Sequence, residues 1–205
     1  MTMRAGDYWE NALSVQAYLD QMTQNRDLFE RRIETTQITA AEREAFRGDL
    51  LRFLVLTEDF CGDSAQFIPP VIRLARELPN IEVRLLLRDQ HRELGSRYVR
   101  KDGYQAIPVL IVLNAAGEEL GYLVERPARV NAELAAETRR FAKENARLDG
   151  VSRTYDKMAP ETRAAVRANA NRFRDAQQAR WSHWLLEDLA DIAGRATGAI
   201  ATTAA

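Results

Sequence analysis

Hydrophobic positions recur at helical spacing at both ends of this chain and bunch into short runs in its middle. Over about 1–49, Tyr8, Ala12, Val15, Leu19 and Met22 fall at helical intervals, and Leu28, Phe29 and Ile33 extend the stripe less regularly. Asp7 with Glu10, and Thr39 with Glu42, have capping-box spacing, and the second pair predicts a helix through about Asp49. From about 50 to 128 the pattern changes. Phe53–Leu56, Ile81–Leu87, Val109–Leu113 and Leu120–Val124 are Val/Ile/Leu-rich runs too short to bury themselves as helices, and they predict four strands. Phe67, Val71, Leu74 and Leu78 mark a helix over 65–78, and a shorter polar one is expected over about 90–99. Asn114-Ala115-Ala116-Gly117 predicts a tight hairpin. The order is β-α-β-α-β-β, with strands separated by helices expected to pair in parallel and the last two antiparallel.

Helical spacing then returns. Val130, Leu134, Phe141 and Leu148 share one face, and Asp149-Gly150 stops the run. Pro160 opens a long helix expected to reach about Ala193 and to end at Gly194, about 50 Å at 1.5 Å per residue. Thr197–Ala205 carries no stripe and is expected to fray.

Composition narrows the function classes. The 205 residues hold 29 Lys+Arg against 30 Asp+Glu, a net charge of −1, which leaves no general basic footprint for nucleic acid. No run approaches the roughly 20 apolar residues of a membrane span, and no secretory leader is expected in Met1–Leu13. A cytoplasmic globular protein is expected, as a core at 50–150, a helical extension at 1–49 packed on it, and a C-terminal helical extension at 151–205. One cysteine excludes an internal disulfide framework and a Cys-rich zinc site. Neither His91 nor His183 has the neighbours of a ligand set, so neither a metal nor a cofactor is expected.

That cysteine, Cys61, follows the first strand and opens the first crossover helix within Thr57-Glu58-Asp59-Phe60-Cys61-Gly62-Asp63-Ser64. The unpaired N–H groups and dipole of a helix N-terminus favour thiolate over thiol there. Most lone cysteines are buried and structural, but these neighbours make a polar, exposed turn. Gly62 leaves room for whatever approaches the sulfur. Asp63 reads as a first-turn acid or as a base, and Ser64 as a hydrogen-bond donor to the thiolate or a bystander. One negative neighbour opposes the thiolate by about 1 kcal/mol, against a helix-end effect of 0.3–1 kcal/mol, so the two roughly cancel. Pro69 and Pro70 fall one to two turns into that helix, where they remove two backbone donors and should kink it. Ile107-Pro108 precedes the third strand, a place proline tolerates and where a cis bond would suit a specified turn.

Phe60-Cys61-Gly62-Asp63-Ser64, Pro69, Ile107-Pro108, the Gly117 hairpin and Arg126-Pro127 together resemble the thioredoxin superfamily. The chain is most similar to its bacterial members with a Cys-Gly-Asp-X motif, over roughly 50–128. The resemblance implies an α/β thioredoxin-like fold, a four-stranded mixed sheet with added terminal helices. It implies that Cys61 is the nucleophile, that Pro108 is the cis-proline beside it, and that the Ile107 backbone, with Phe60 and Gly62, receives an extended partner. Ser64 stands where the resolving cysteine would be, and the family's buried carboxylate and its companion lysine are Val55 and Leu85. Three functions follow: monothiol exchange with a protein or small-molecule thiol or disulfide, a redox-inactive binding module, or a single-cysteine redox sensor. In the module, the stripe Trp181, Trp184, Leu185, Leu189 and Ile192 makes the contacts, either on the body or between two copies.

Overall fold

The computed structural model describes residues 3–100 and 102–201, with side chains through 194. A 3-10 helix over Ala5–Asn11 leads into β1 (Leu13–Ser14), α1 (Val15–Gln21), α2 (Arg26–Thr35) and α3 (Ala40–Ala45). The central region follows with β2 (Leu51–Thr57), α4 (Gly62–Glu77), β3 (Ile81–Leu87), α5 (Arg92–Gly95), β4 (Val109–Asn114) and β5 (Glu119–Val124). Helix α6 (Ala128–Glu144), a 3-10 turn (Tyr155–Lys157) and α7 (Pro160–Ala201) complete it. Residues 1–126 and 182–205 make one compact unit, and 127–181 a second.

The sheet order is β1-β3-β2-β4-β5. The four runs of the middle block are all strands, joined by a fifth, the two-residue β1 pairing antiparallel with β3. β2 and β3 are parallel, as the crossover through α4 requires. β4 departs from expectation, because it pairs antiparallel with β2. The helix expected over 90–99 shrinks to the single turn of α5, so the 88–108 link stays at one end of the sheet. Thr57 lies opposite Leu87, and Leu56 opposite Val109, at that end. A chain entering β4 from where β3 left must run the other way.

Both faces of the sheet are covered, which is why its strands read as continuous apolar runs. Leu54, Leu56, Leu86, Val109, Ile111 and Leu113 pack with Trp9, Leu94 and Tyr98 on one face. Phe53, Val55, Leu85, Leu110 and Val112 are also fully buried, together with Phe67, Ile68, Val71 and Leu74 of α4. The N-terminal turn is held against the hairpin by two glycines, since a Cβ on Gly6 would lie 2.1 Å from the Gly117 carbonyl oxygen. Its capping box is shifted from the expected one. Asp7 occupies the third position and accepts the Arg4 N–H at 2.6 Å, in place of capping the helix itself. Thr39 and Glu42 do form the box that opens α3.

Helix α4 continues through Pro69 and Pro70. Proline at 69 leaves the Ala65 carbonyl without its usual i+4 donor. Arg32 of α2, 6% exposed, supplies a substitute, with Nη1 donating to that carbonyl at 3.0 Å. The long helix likewise runs past Gly194 to Ala201; one interior glycine costs only about 1 kcal/mol, too little to force a stop. Leu185 and Leu189 of the expected stripe are buried, as is Leu186, while Trp184 and Ile192 are half-buried. Of the 197–205 tail, residues 202–205 lie outside the described residues.

Candidate functional site

Strand β2 ends at Thr57, and Glu58-Asp59-Phe60 turn the chain into α4, with the Cys61 N–H closing the turn on the Glu58 carbonyl at 3.2 Å. Cys61 is the N-cap of α4, and its Sγ accepts the Ser64 N–H at 3.4 Å. The same sulfur lies 3.4 Å from the Ile107 carbonyl, to which the thiol S–H donates. The Ile107–Pro108 peptide is cis, with Pro108 buried immediately before β4. Four of the expected site residues thus meet at one point: Cys61, Ser64, Ile107 and Pro108.

The others surround it. Phe60 is 51% exposed. A Cβ on Gly62 would meet nothing within 4 Å, so the space beside the sulfur is open. Ser64 is buried, and its hydroxyl has no hydrogen-bond partner among the described residues; it is the Ser64 backbone that contacts the sulfur. Asp63 occupies the first turn of α4 without being its cap, and its carboxylate pairs with Arg126 at 3.1 Å.

Each acid that flanks the thiol is committed to another element. Glu58, 9% exposed, accepts the Asp89 N–H at 2.7 Å. Asp59 accepts the Thr23 N–H, the Thr23 hydroxyl and the Gln24 N–H at 2.7, 2.9 and 3.1 Å. Burial raises the Asp59 pKa, but these bonds and one from the Phe60 N–H outweigh it and hold the carboxyl below the usual range. Asn25, at φ 58, adds a bond from its side-chain amide to the Asp59 carbonyl at 2.7 Å. Tyr18 is buried nearby, and burial, with the negative charge of Asp59 and Glu58 added, pushes its hydroxyl up to about 12. Asp63 is paired with the Arg126 guanidinium, whereas the donors to Glu58 and Asp59 are neutral N–H and O–H groups.

Sequence reasoning missed the polar stretch Thr23-Gln24-Asn25, whose signal was its position between two apolar stripes. It named Arg126 only within the Arg126-Pro127 pair and missed the ion pairs that join it to Asp63 and Glu125. Arg126 bridges Asp63 and Glu125, Arg100 pairs with Glu125 at 3.0 Å, and Arg100 pairs with Asp102 at 2.5 Å. Val55 and Leu85 are both fully buried and directly opposed in the β2–β3 register. Val55 and Leu85 thus form a buried apolar pair across β2 and β3.

Elsewhere, His91 stacks edge-on against Tyr8, and His183 Nδ1 lies 2.7 Å from Glu42 Oε1. Among the described residues no group of three or more His, Cys, Asp or Glu could hold a metal ion, and no helix is long and apolar enough to cross a membrane.

A family model described as Thioredoxin matches residues 12–140. The chain belongs to the thioredoxin-like family. The match spans both the N-terminal segment that anchors the Cys61 loop and the hairpin that carries Arg126. No curated protein matches the chain. Among solved structures, a Pseudomonas aeruginosa protein of unknown function has a TM-score of 0.62 at 17% identity, covering 95% of this chain and 99% of its own. An HIV epitope-scaffold has a TM-score of 0.54 at 22% identity, covering 62% of this chain and 81% of its own. At such identities these likenesses speak for the thioredoxin-like fold alone.

Proposed function

We propose that this thioredoxin-like protein carries out monothiol thiol–disulfide exchange through Cys61. The reading rests on one observation: the Cys61 sulfur caps α4, accepting the Ser64 N–H, while facing the Ile107 carbonyl at the start of β4. In the proposed reaction Cys61 gives its proton to solvent, and the thiolate attacks one sulfur of a partner disulfide. A new S–S bond forms, the old one breaks, and the second partner sulfur leaves with the electron pair as a thiolate. Ser64 offers no second thiol, so an external thiolate attacks the mixed disulfide, regenerates Cys61 and carries away the oxidised sulfur. The Ile107 backbone ahead of β4 receives the partner chain by strand addition, and exposed Phe60 offers it an apolar contact.

Incubation with oxidised glutathione followed by mass spectrometry tests this. One glutathione adduct on Cys61, formed faster than on the urea-unfolded chain and removed by added thiol, is expected. Absence of an adduct, or a rate no faster than that of the unfolded thiol, refutes it.

The Val55–Leu85 pair favours a second reading, a redox-inactive binding module, because the usual buried groups for proton transfer are absent from those positions. Cys61→Ser separates the two: a module keeps its partner, and an exchange protein loses its activity while staying folded.

A further inference from the structure

Residues Glu125 and Arg126, just past the end of β5, touch both halves of the exchange site. The Glu125 N–H donates to the Pro108 carbonyl at 2.7 Å, which ties the dipeptide to the loop carrying Ile107. Arg126 Nη1 donates to Asp63 Oδ1 at 3.1 Å, which ties it to the first turn of α4, two residues beyond Cys61. Both side chains of that ion pair are largely buried, 12% and 14% exposed, so water screens the pair poorly. Glu125 holds φ 67, a left-handed conformation that a non-glycine residue adopts only against backbone strain.

We propose that Glu125-Arg126 is a charge clamp on the thiol, in which Arg126 is a positioning residue that cancels the Asp63 carboxylate beside Cys61 and keeps the sulfur free to ionise. This deepens the exchange reading and rests on it.

The charged and titratable groups around the sulfur divide by element. Glu58 and Asp59 precede it on the β2–α4 turn and are bonded to Asp89 and to Thr23-Gln24. Tyr18 faces it from α1, neutral at ordinary pH. Asp63 follows it on α4, and Arg126, paired with Glu125 and through it with Arg100, reaches Asp63 from beyond β5. Glu58 and Asp59 are held by neutral N–H and O–H groups, whereas Asp63 is held by a full positive charge. Arg126 is therefore the group whose removal changes the net charge next to the sulfur.

Iodoacetamide alkylation of Cys61 against pH tests the clamp, with a melting curve for each variant. Alkylation needs only a thiolate, so the comparison can be read even if no glutathione adduct ever forms, and the two proposals fail separately. Arg126→Gln, which takes one positive charge from the Asp63 ion pair, is expected to slow alkylation at pH 7 by about five- to tenfold and move the profile to higher pH. Arg126→Gln with Asp63→Asn is expected to return within about twofold of the parent, because both charges of the pair are gone. Asp63→Asn alone, which leaves the guanidinium facing the sulfur, moves the profile to lower pH and serves if Arg126→Gln does not fold. The clamp is overturned if Arg126→Gln alkylates like the parent, if the double variant stays as slow as Arg126→Gln, or if Asp63→Asn slows the reaction.

Discussion

Replacing Ser64 with cysteine puts a second sulfur one helical turn from the first, and the structure sets what should follow. Ser64 is 1% exposed with an unpartnered hydroxyl, so a thiol of nearly the same shape removes an unmet hydrogen-bonding group at little or no cost. Its backbone nitrogen is already 3.4 Å from the Cys61 sulfur. Residues three apart at a helix start have Cα atoms about 5–5.5 Å apart, inside the 4.4–6.8 Å that a disulfide spans. Closing a four-residue loop restricts the unfolded chain by about 2 kcal/mol, before any strain in the native state. In a domain of this size that is a rise of about 4–8 °C in melting temperature for the oxidised over the reduced form. Intact-mass measurement before and after mild oxidation, with melts in each state, is the assay. The oxidised Ser64→Cys protein should lose two hydrogens and melt higher, and the reduced variant given oxidised glutathione should no longer accumulate the adduct, because the new thiolate displaces glutathione from Cys61. Two free thiols after oxidation, or an adduct as long-lived as in the parent, would show that residue 64 does not hold the resolving position.

Two further perturbations test how the site is held. Asp59→Asn replaces a charged acceptor of three bonds from Thr23 and Gln24 and should cost about 1–2 kcal/mol at pH 7. Because folding lowers the Asp59 pKa, its stabilisation is fully present above the unfolded value of about 3.9 and is lost as pH falls through the folded one, so parent and variant melts should converge in acid; a gap that stays constant down to pH 2 contradicts this. Gly6→Ala drives a methyl into the Gly117 carbonyl and should cost about 3 kcal/mol, or about 6–12 °C, read by thermal denaturation. An unchanged melt would mean that the N-terminal turn does not bear on the hairpin.

How much could be seen beforehand follows from the range of each interaction. The Ile81–Leu87 run and its three neighbours were legible because both sheet faces are covered and the runs stay apolar throughout. The corner at Cys61 was legible because an apolar run followed by Glu-Asp-Phe-Cys-Gly-Asp-Ser must turn there. β1 was not, since two residues carry no period. The expected parallel pairing of the third strand failed because it depended on a crossover helix that the 88–108 segment forms for only one turn. Nor could spacing reveal that Pro69 is tolerated because Arg32 reaches Ala65 from α2 across 33 positions. Asp63 looked like an isolated negative charge because Arg126 stands 63 residues away, and only the return of β5 brings them together.

Those long-range ties bear on why a single-thiol site would hold its shape at all. Without a second cysteine no internal bond closes the 61–64 turn, and the sulfur's two contacts, to the Ser64 N–H and the Ile107 carbonyl, are weak hydrogen bonds at 3.4 Å. Around them lie stronger ones: Asp59 to the 23–25 turn, Glu58 to the start of the 88–108 link, and Asp63 to Arg126. Bonds to a charged group contribute about 1.5–3 kcal/mol each. Three of them, reaching three different elements, fix residues 58, 59 and 63 and so leave residue 61 little freedom to move between them. The arrangement spends its acids on structure. That is why the charge pattern of Glu58-Asp59-Phe60-Cys61-Gly62-Asp63, taken alone, leaves helix end and carboxylate roughly balanced at the thiol, while the fold shows which partner each acid holds.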